Sequence, residues 1–420
     1  MAAAAAPALL PRAASLAQEA ARAAAARGAA APARDEAYWS AIARAFDADR
    51  TLINLNHGGV SPTPTSVLEA MVRDLRFSNV APAYQMWQVL EPRLESVRRE
   101  LAREFGCDPE EIAVTRNASE SMEALILGVP MSRGDEAVIS TQNYPRMLTT
   151  WEQRARREGI VVKKFTFPVP LPRPSLFLDA VEKALTPRTR VVEVPHLVNW
   201  TGQILPIREL VRLCRPRGIE VLVDGAHAFG HFPFRRDDLE CDYYGTSLHK
   251  WLFAPVGTGF LYVRRDKIRT IWPLMAAPEK MDGDIRKFEE IGTHPAANHN
   301  AIADALAFHR AVGSEQKIAR LRVLRDRWAR RVASRRGVRI LTNLDGQDAG
   351  GLALVSLERV DPEKLAAHLW EKHRIITVPI LHEEFRGLRI TPSLSNLPEE
   401  VDFFAERIEQ IADEPPPELL

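Results

Sequence analysis

Residues 243–260 read YYGTSLHKWLFAPVGTGF, and Lys250 is the residue in that run whose type and setting can do chemistry. Small polar residues precede it; WLFAP follows, and then GTGFLYV, which reads as a buried strand. A lysine drawn out of water has a lowered pKa and a free electron pair, which suits imine formation with a carbonyl. The same run also fits a lysine whose stem lies on apolar surface at a strand end. Asp224 stands 26 residues earlier, closing IEVLVD and opening GAHAFG, so that a carboxylate, two glycines and His227 gather at one chain reversal. A lone aspartate at such a place is more often a helix cap.

Taken together, Lys250 and Asp224 meet the needs of pyridoxal phosphate. A lysine holds the aldehyde as an imine, while a carboxylate keeps the pyridine nitrogen protonated, so that the ring draws electrons from a substrate α-carbon. The phosphate needs donors of its own. TRNASESMEAL passes from a short strand straight into a helix through Asn117, Ala118, Ser119 and Glu120, which fits a capping box and also an anion site at a helix N-terminus. Beside Asp224 and Lys250 the phosphate reading gains weight. Ser247 and His249, on the lysine's own loop, can add donors.

Other chemistries fail on spacing. LHEEFRG lacks the second histidine of a zinc-protease helix, GTSLH lacks the spacing of a nucleophile elbow, and no G-x-G-x-x-G follows a strand. His294 and His299 read as loop histidines without a carboxylate cluster, so no metal site is expected. Cys107, Cys214 and Cys241 form no C-x-x-C pair and read as small buried hydrophobes.

The elements that must position these residues alternate along the chain. Helical patterns such as SVLEAMVRDLRF and MLTTWEQRARREG separate short strands, EIAVTRN, EAVIS and IVVKKFTF. From Thr189 on, RVVEVPHLV and IEVLVDGA become nearly continuous apolar runs. That alternation predicts a mostly parallel α/β sheet covered on both faces, with ligands bound outside the carboxyl ends of its strands. A single long helix is expected from Asn300 to Arg335, then a smaller α+β unit, then a loose PPPELL tail. The expected organisation is an Ala-rich leader over 1–35, a large cofactor-binding domain over 36–300 and a small C-terminal domain over 301–420.

Composition sets outer bounds. With 56 Lys plus Arg against 55 Asp plus Glu, the chain shows no electrostatic footprint for nucleic acid or an anionic membrane. The leader is too short and too broken for a transmembrane helix, and reads either as a disordered segment or as an export signal lacking its basic start. The expected location is the cytoplasm, or the periplasm if the leader is such a signal.

From about Leu52 to about Ala412 these residues, in order, resemble the class V aminotransferase family of fold type I pyridoxal-phosphate enzymes, and within it the isopenicillin N epimerase-like members. The carrying motifs are LINLNHGGVSPTP, VTRNASESMEALI, PHLVNWTGQILPI, VLVDGAHAFGHFPF, CDYYGTSLHKWLFAPVGTGFLYV, EEIGTHP and GLRITPSLSN. The resemblance implies that Lys250 binds the cofactor, Asp224 partners the pyridine nitrogen and His227 neighbours the ring oxygen. Ala118, Ser119, Ser247 and His249 would hold the phosphate. Thr293 would reach the cofactor of a second subunit, which implies a homodimer with shared sites. Asn199 and Arg389 look like the groups that bind a substrate α-carboxylate, a task the guanidinium fork suits.

Two departures from related cysteine desulfurases stand out. Where those place a histidine over the ring, TQNYPRM puts Tyr144; where they carry a persulfide-forming cysteine, RIITVPILHEEFRG has none. A sulfur-carrier role is therefore disfavoured. The resemblance implies an enzyme acting at the α-carbon of an amino acid, an epimerase or racemase first, a C–S lyase or aminotransferase as the alternative, and a catalytically silent binding module as the non-enzyme alternative.

Overall fold

The computed structural model of the chain describes residues 33–420. The expected leader falls, except for its last three residues, outside them.

The inner strands form where runs of apolar and small residues are buried on both faces, whereas the edge strand Val161–Phe165 is buried only at Phe165. The seven-stranded sheet contains β2 (Ile112–Thr115), β3 (Glu136–Ser140), β4 (Val161–Phe165), β5 (Thr189–Pro195), β6 (Glu220–Asp224), β7 (Tyr243–Ser247) and β8 (Gly259–Val263). Their order is β2-β8-β7-β6-β5-β3-β4, and β8 alone runs against its neighbours. The β5–β6 and β6–β7 pairs are parallel, with Pro195 opposite Asp224 and Asp224 opposite Gly245. Three strand ends that carry polar residues therefore open on one edge. Helices on the two faces bury separate apolar layers, one built around Phe105, Val192, Val223 and Tyr244, the other around Leu125, Trp151, Leu222 and Leu261.

A second sheet, in the order β12-β13-β10-β9, is antiparallel and comprises β9 (Val338–Ile340), β10 (Ala353–Leu357), β12 (Val378–Leu381) and β13 (Arg386–Ile390). The Pro362–His373 and Pro398–Asp413 helices belong to the same unit. β1 (Ile53–Asn54), from the early TLINLN run, pairs in parallel with β11 (Ile375–Ile376) of this unit, so the chain touches the small domain before it builds the large one. That pairing delivers the His57–Gly59 turn to the large domain's strand ends.

Four expectations need correction. The expected long helix is divided into Ala296–Asn300, Ile302–Val312 and Ser314–Ala333; the last break falls at Gly313, whose φ of 87° belongs to the left-handed region that glycine tolerates. His299 lies on the first of these helices and is buried, not in a loop. The PPPELL tail docks: Leu419 is buried, and its carbonyl accepts from the Asp361 N–H at 2.9 Å. Cys107 is half-buried, whereas Cys214 and Cys241 are buried as expected. No helix among the described residues is long and apolar enough to cross a membrane.

Candidate active site

Lys250 sits just past the end of β7, on a loop braced from behind. The Trp251 ring stacks on His231 at 3.7 Å, and the buried Lys317 ammonium donates to the carbonyls of Trp251 and Gly230. Within the loop, Leu248 N–H donates to Thr258 O and Ala254 N–H to Leu248 O. These contacts hold the Lys250 stem in a water-poor setting. Burial pushes its amine down to about 8; the Asp224 carboxylate opposes that shift and Arg389 adds to it.

Asp224 ends β6 on the adjacent strand. Its Oδ1 accepts the Ala226 N–H at 2.9 Å, and burial raises its pKa against the pull of that N–H and of Lys250. The turn after it is tight: a Cβ on Gly225 would fall 2.0 Å from the Tyr244 ring. His227, one turn further, approaches Lys250 Nζ at 3.0 Å through Nε2 and is held neutral chiefly by burial.

The helix Ala118–Gly128 begins opposite. Asn117 caps it by accepting the Glu120 N–H at 2.9 Å, but the Glu120 carboxylate accepts from the Arg116 N–H and not from Asn117, so the N-cap forms without the return half of a capping box; the Ala118 N–H donates to Ser247 Oγ at 2.9 Å. The cap and a place beside the lysine loop coexist. Arg389 reaches in from β13: Nη1 donates to Asn199 O at 3.3 Å and Nη2 to Asn56 Oδ1 at 2.9 Å, while Nε is buried with no hydrogen-bond partner. Burial lowers its pKa to about 10, with Tyr144 acting the other way.

One cavity of about 390 Å³ gathers these groups. Ala118, Ser119, Tyr144, Asn199, Asp224, His227, Ser247, His249, Lys250 and Arg389 all line it. Thr293 does not: it is exposed, on the segment before the Ala296–Asn300 helix.

The sequence reasoning did not assign roles to several residues that the structure brings in. Gly58 and Gly59 line the cavity, and a Cβ on Gly58 would meet Thr391 Cγ2 at 2.9 Å and His227 Cε1 at 3.2 Å, so the turn packs this close only because a side chain is absent. The glycine pair in HGGVSPTP was the available signal. Asn56 orients Arg389, which only the pairing of β1 with the small domain reveals. Glu193, inside β5, is fully buried and accepts from Asn143 Nδ2 at 2.6 Å and Trp151 Nε1 at 3.2 Å. Burial and the neighbouring Asp224 push its carboxyl up to about 8.

The sequence model of the family described as Aminotransferase class-V matches residues 53–378. The chain belongs to the class V aminotransferase family. Its pairwise likenesses agree: it is 30% identical over 383 residues to isopenicillin N epimerase of Streptomyces clavuligerus, covering 87% of this chain and 96% of that one. It is also 30% identical over 394 residues to isopenicillin N epimerase of Amycolatopsis lactamdurans, covering 89% and 98%. Among solved structures, a cystine C-S lyase in complex with its reaction product cysteine persulfide superposes with a TM-score of 0.76 at 24% identity, over 86% of this chain and 98% of that one. The class V protein is thus a pyridoxal-phosphate-dependent enzyme of fold type I.

The residues present fit that cofactor. A partly buried amine with a lowered pKa, a buried carboxylate on the adjacent strand end and a helix N-terminus beside Ser247 face one cavity, and His249 Nδ1 is buried there without a partner.

Proposed function

We propose that this enzyme removes and returns the α-proton of an amino acid, as an epimerase or racemase. The observation that carries the reading is the placement of Lys250 and Asp224 at adjacent parallel strand ends, with the Arg389 guanidinium across the same cavity. The extended likeness to two epimerases supports the choice among family chemistries. None of Cys107, Cys214 and Cys241 lines the cavity, which leaves no thiol there to carry sulfur.

Bound pyridoxal phosphate supplies the electron sink for the bond broken at the α-carbon. Asp224 would hold the proton balance at its pyridine nitrogen; Ala118, Ser119, Ser247 and His249 would hold its phosphate; Tyr144 would cover its ring; and His227 would sit by the ring oxygen. Arg389, kept in place by Asn56 and Asn199, fixes the substrate carboxylate. Lys250, neutral above about pH 8, takes the proton, and the N–H at His227 Nε2, 3.0 Å away, orients the amine lone pair by donating to it.

The assembly that completes the site is a homodimer in this reading. Val80, Tyr84 and Trp87 are 79%, 63% and 50% exposed in the single chain, an apolar surface that fits a second copy. Thr293 would then serve the partner's cofactor.

The experiment is incubation of the loaded enzyme with both enantiomers of a panel of amino acids in heavy water. Deuterium at the α-carbon together with loss of optical purity is expected. Stoichiometric sulfide or oxo-acid release without racemisation would replace the epimerase reading by C–S lysis or transamination.

A further inference from the structure

Arg389 on β13 has Leu354 of β10 and Val378 of β12 as its register partners, so the three side chains stand side by side on one face of the small sheet. Next to the guanidinium that face is apolar: Leu354 and Ile380 are buried in one cluster with Phe385, and Trp200 and Val378 pack against it, while Ser356 and Arg339 lie further along the face. The guanidinium is therefore set into an apolar wall. Trp200 follows Asn199, whose carbonyl accepts from Arg389, and Tyr144 lies close enough to Arg389 to act on its charge. Val378, Trp200 and Tyr144 all line the cavity.

The charged side chains lining that cavity are Lys250, Asp224 and Arg389. Each already has a task in the proposed function. An α-carbon whose carboxylate lies on Arg389 and whose proton faces Lys250 must send its side chain along a third direction, past the wall beside Arg389. A carboxylate there would compete for Arg389 or stay desolvated without a cation. An ammonium there would stand beside the Arg389 guanidinium, a like charge.

We propose that Tyr144, Trp200 and Val378 form the side-chain subsite and that it takes an uncharged aromatic or branched apolar side chain. The proposal rests on the reading that Arg389 holds the α-carboxylate. Two aromatic rings and a branched aliphatic group offer a flat apolar surface that a phenyl or isobutyl group covers well. Val378 decides the charge preference, because it is the cross-strand neighbour of the clamp itself and lies on the edge strand of its sheet.

The test uses the loaded enzyme and reads apparent affinity from calorimetry and from the cofactor absorbance. Phenylalanine, leucine, alanine, glutamate, lysine and phenethylamine are titrated in turn. Phenylalanine and leucine are expected to bind at least roughly tenfold more tightly than glutamate and lysine. Val378→Arg is expected to reverse the order of phenylalanine and glutamate while retaining the parental cofactor content. If that variant does not fold, Trp200→Ala serves in its place and is expected to weaken phenylalanine but not alanine. Glutamate binding as tightly as phenylalanine in the parent, with phenethylamine weak, would overturn the side-chain subsite and leave the carboxylate clamp standing. Phenethylamine equal to phenylalanine, or no response to any amino acid, would overturn the proposed function and this inference with it.

Discussion

Lys250 Nζ and His227 Nε2 stand 3.0 Å apart, and the other nitrogen of that imidazole faces the Trp251 indole N–H at 3.4 Å. An indole nitrogen only donates, so His227 Nδ1 keeps its lone pair and Nε2 carries the ring proton. Nε2–H then donates to the lysine amine, which requires that amine to be neutral. This agrees with the downward push on Lys250 from burial, which Asp224 only partly offsets.

A neutral amine has a measurable consequence in the cofactor-free protein. Acylation of Lys250 by a small amine-reactive reagent is expected to rise with pH through a midpoint at about 8, because half of the amine is deprotonated at its pKa. Peptide mass spectrometry across pH 6 to pH 11 follows the profile. A rise continuing to the ordinary lysine range near 10.5 would contradict the buried setting.

Asp224→Asn keeps the shape of the β6 end and the contact with the Ala226 N–H but loses the charge. Exchange of the α-proton is expected to slow by roughly a hundredfold or more, about 2.7 kcal/mol of barrier, while cofactor content changes little. Heavy-water exchange and absorbance measure the two separately. An unchanged exchange rate would remove Asp224 from the chemistry.

Much of this site was legible in the residues themselves. Lys250, Asp224 and the polar ends of β3, β5 and β7 could be read because parallel strands bury continuous apolar runs and leave their polar residues at one edge. Asn56 could not be read that way: it reaches Arg389 only because a two-residue strand pairs with a segment more than three hundred residues away. Glu193 was hidden for a different reason. It stands inside an apolar run, and only packing shows whether such a carboxylate faces water, a partner or the core. The long-helix expectation failed at Gly313 because amphipathic periodicity continues on both sides of a break that only the backbone reveals.

Arg389 presents a fork of donors that a lysine cannot reproduce. Loss of a charge-assisted bidentate contact removes roughly 1.5 to 3 kcal/mol, so Arg389→Lys and Arg389→Ala should each weaken substrate binding by about ten- to a hundredfold. Cofactor loading should survive in both, since Lys250 and the phosphate turn belong to the other domain. Substrate titration of the two variants checks this, and parental affinity in Arg389→Lys would show that a point charge suffices.

Glu193 gives a stability test with a defined sign. Its carboxyl is raised from 4.5 to about 8 in the fold, so above pH 4.5 the unfolded chain releases a proton that the folded one retains, and stability falls as pH climbs toward 8. Glu193→Gln removes that dependence. Its melting temperature relative to the parent is therefore expected to be higher at pH 8 than at pH 5, as differential scanning calorimetry can show. A difference independent of pH would mean that Glu193 is already ionised in the folded protein.

The central claim is that Lys250 carries the cofactor beside Asp224. Borohydride reduction of the enzyme loaded with pyridoxal phosphate, followed by peptide mapping, tests it most directly. The expected result is one phosphopyridoxyl-lysine, at Lys250, absent after Lys250→Ala. A label on any other lysine, or a protein that stays colourless and unlabelled at saturating cofactor, would contradict the account.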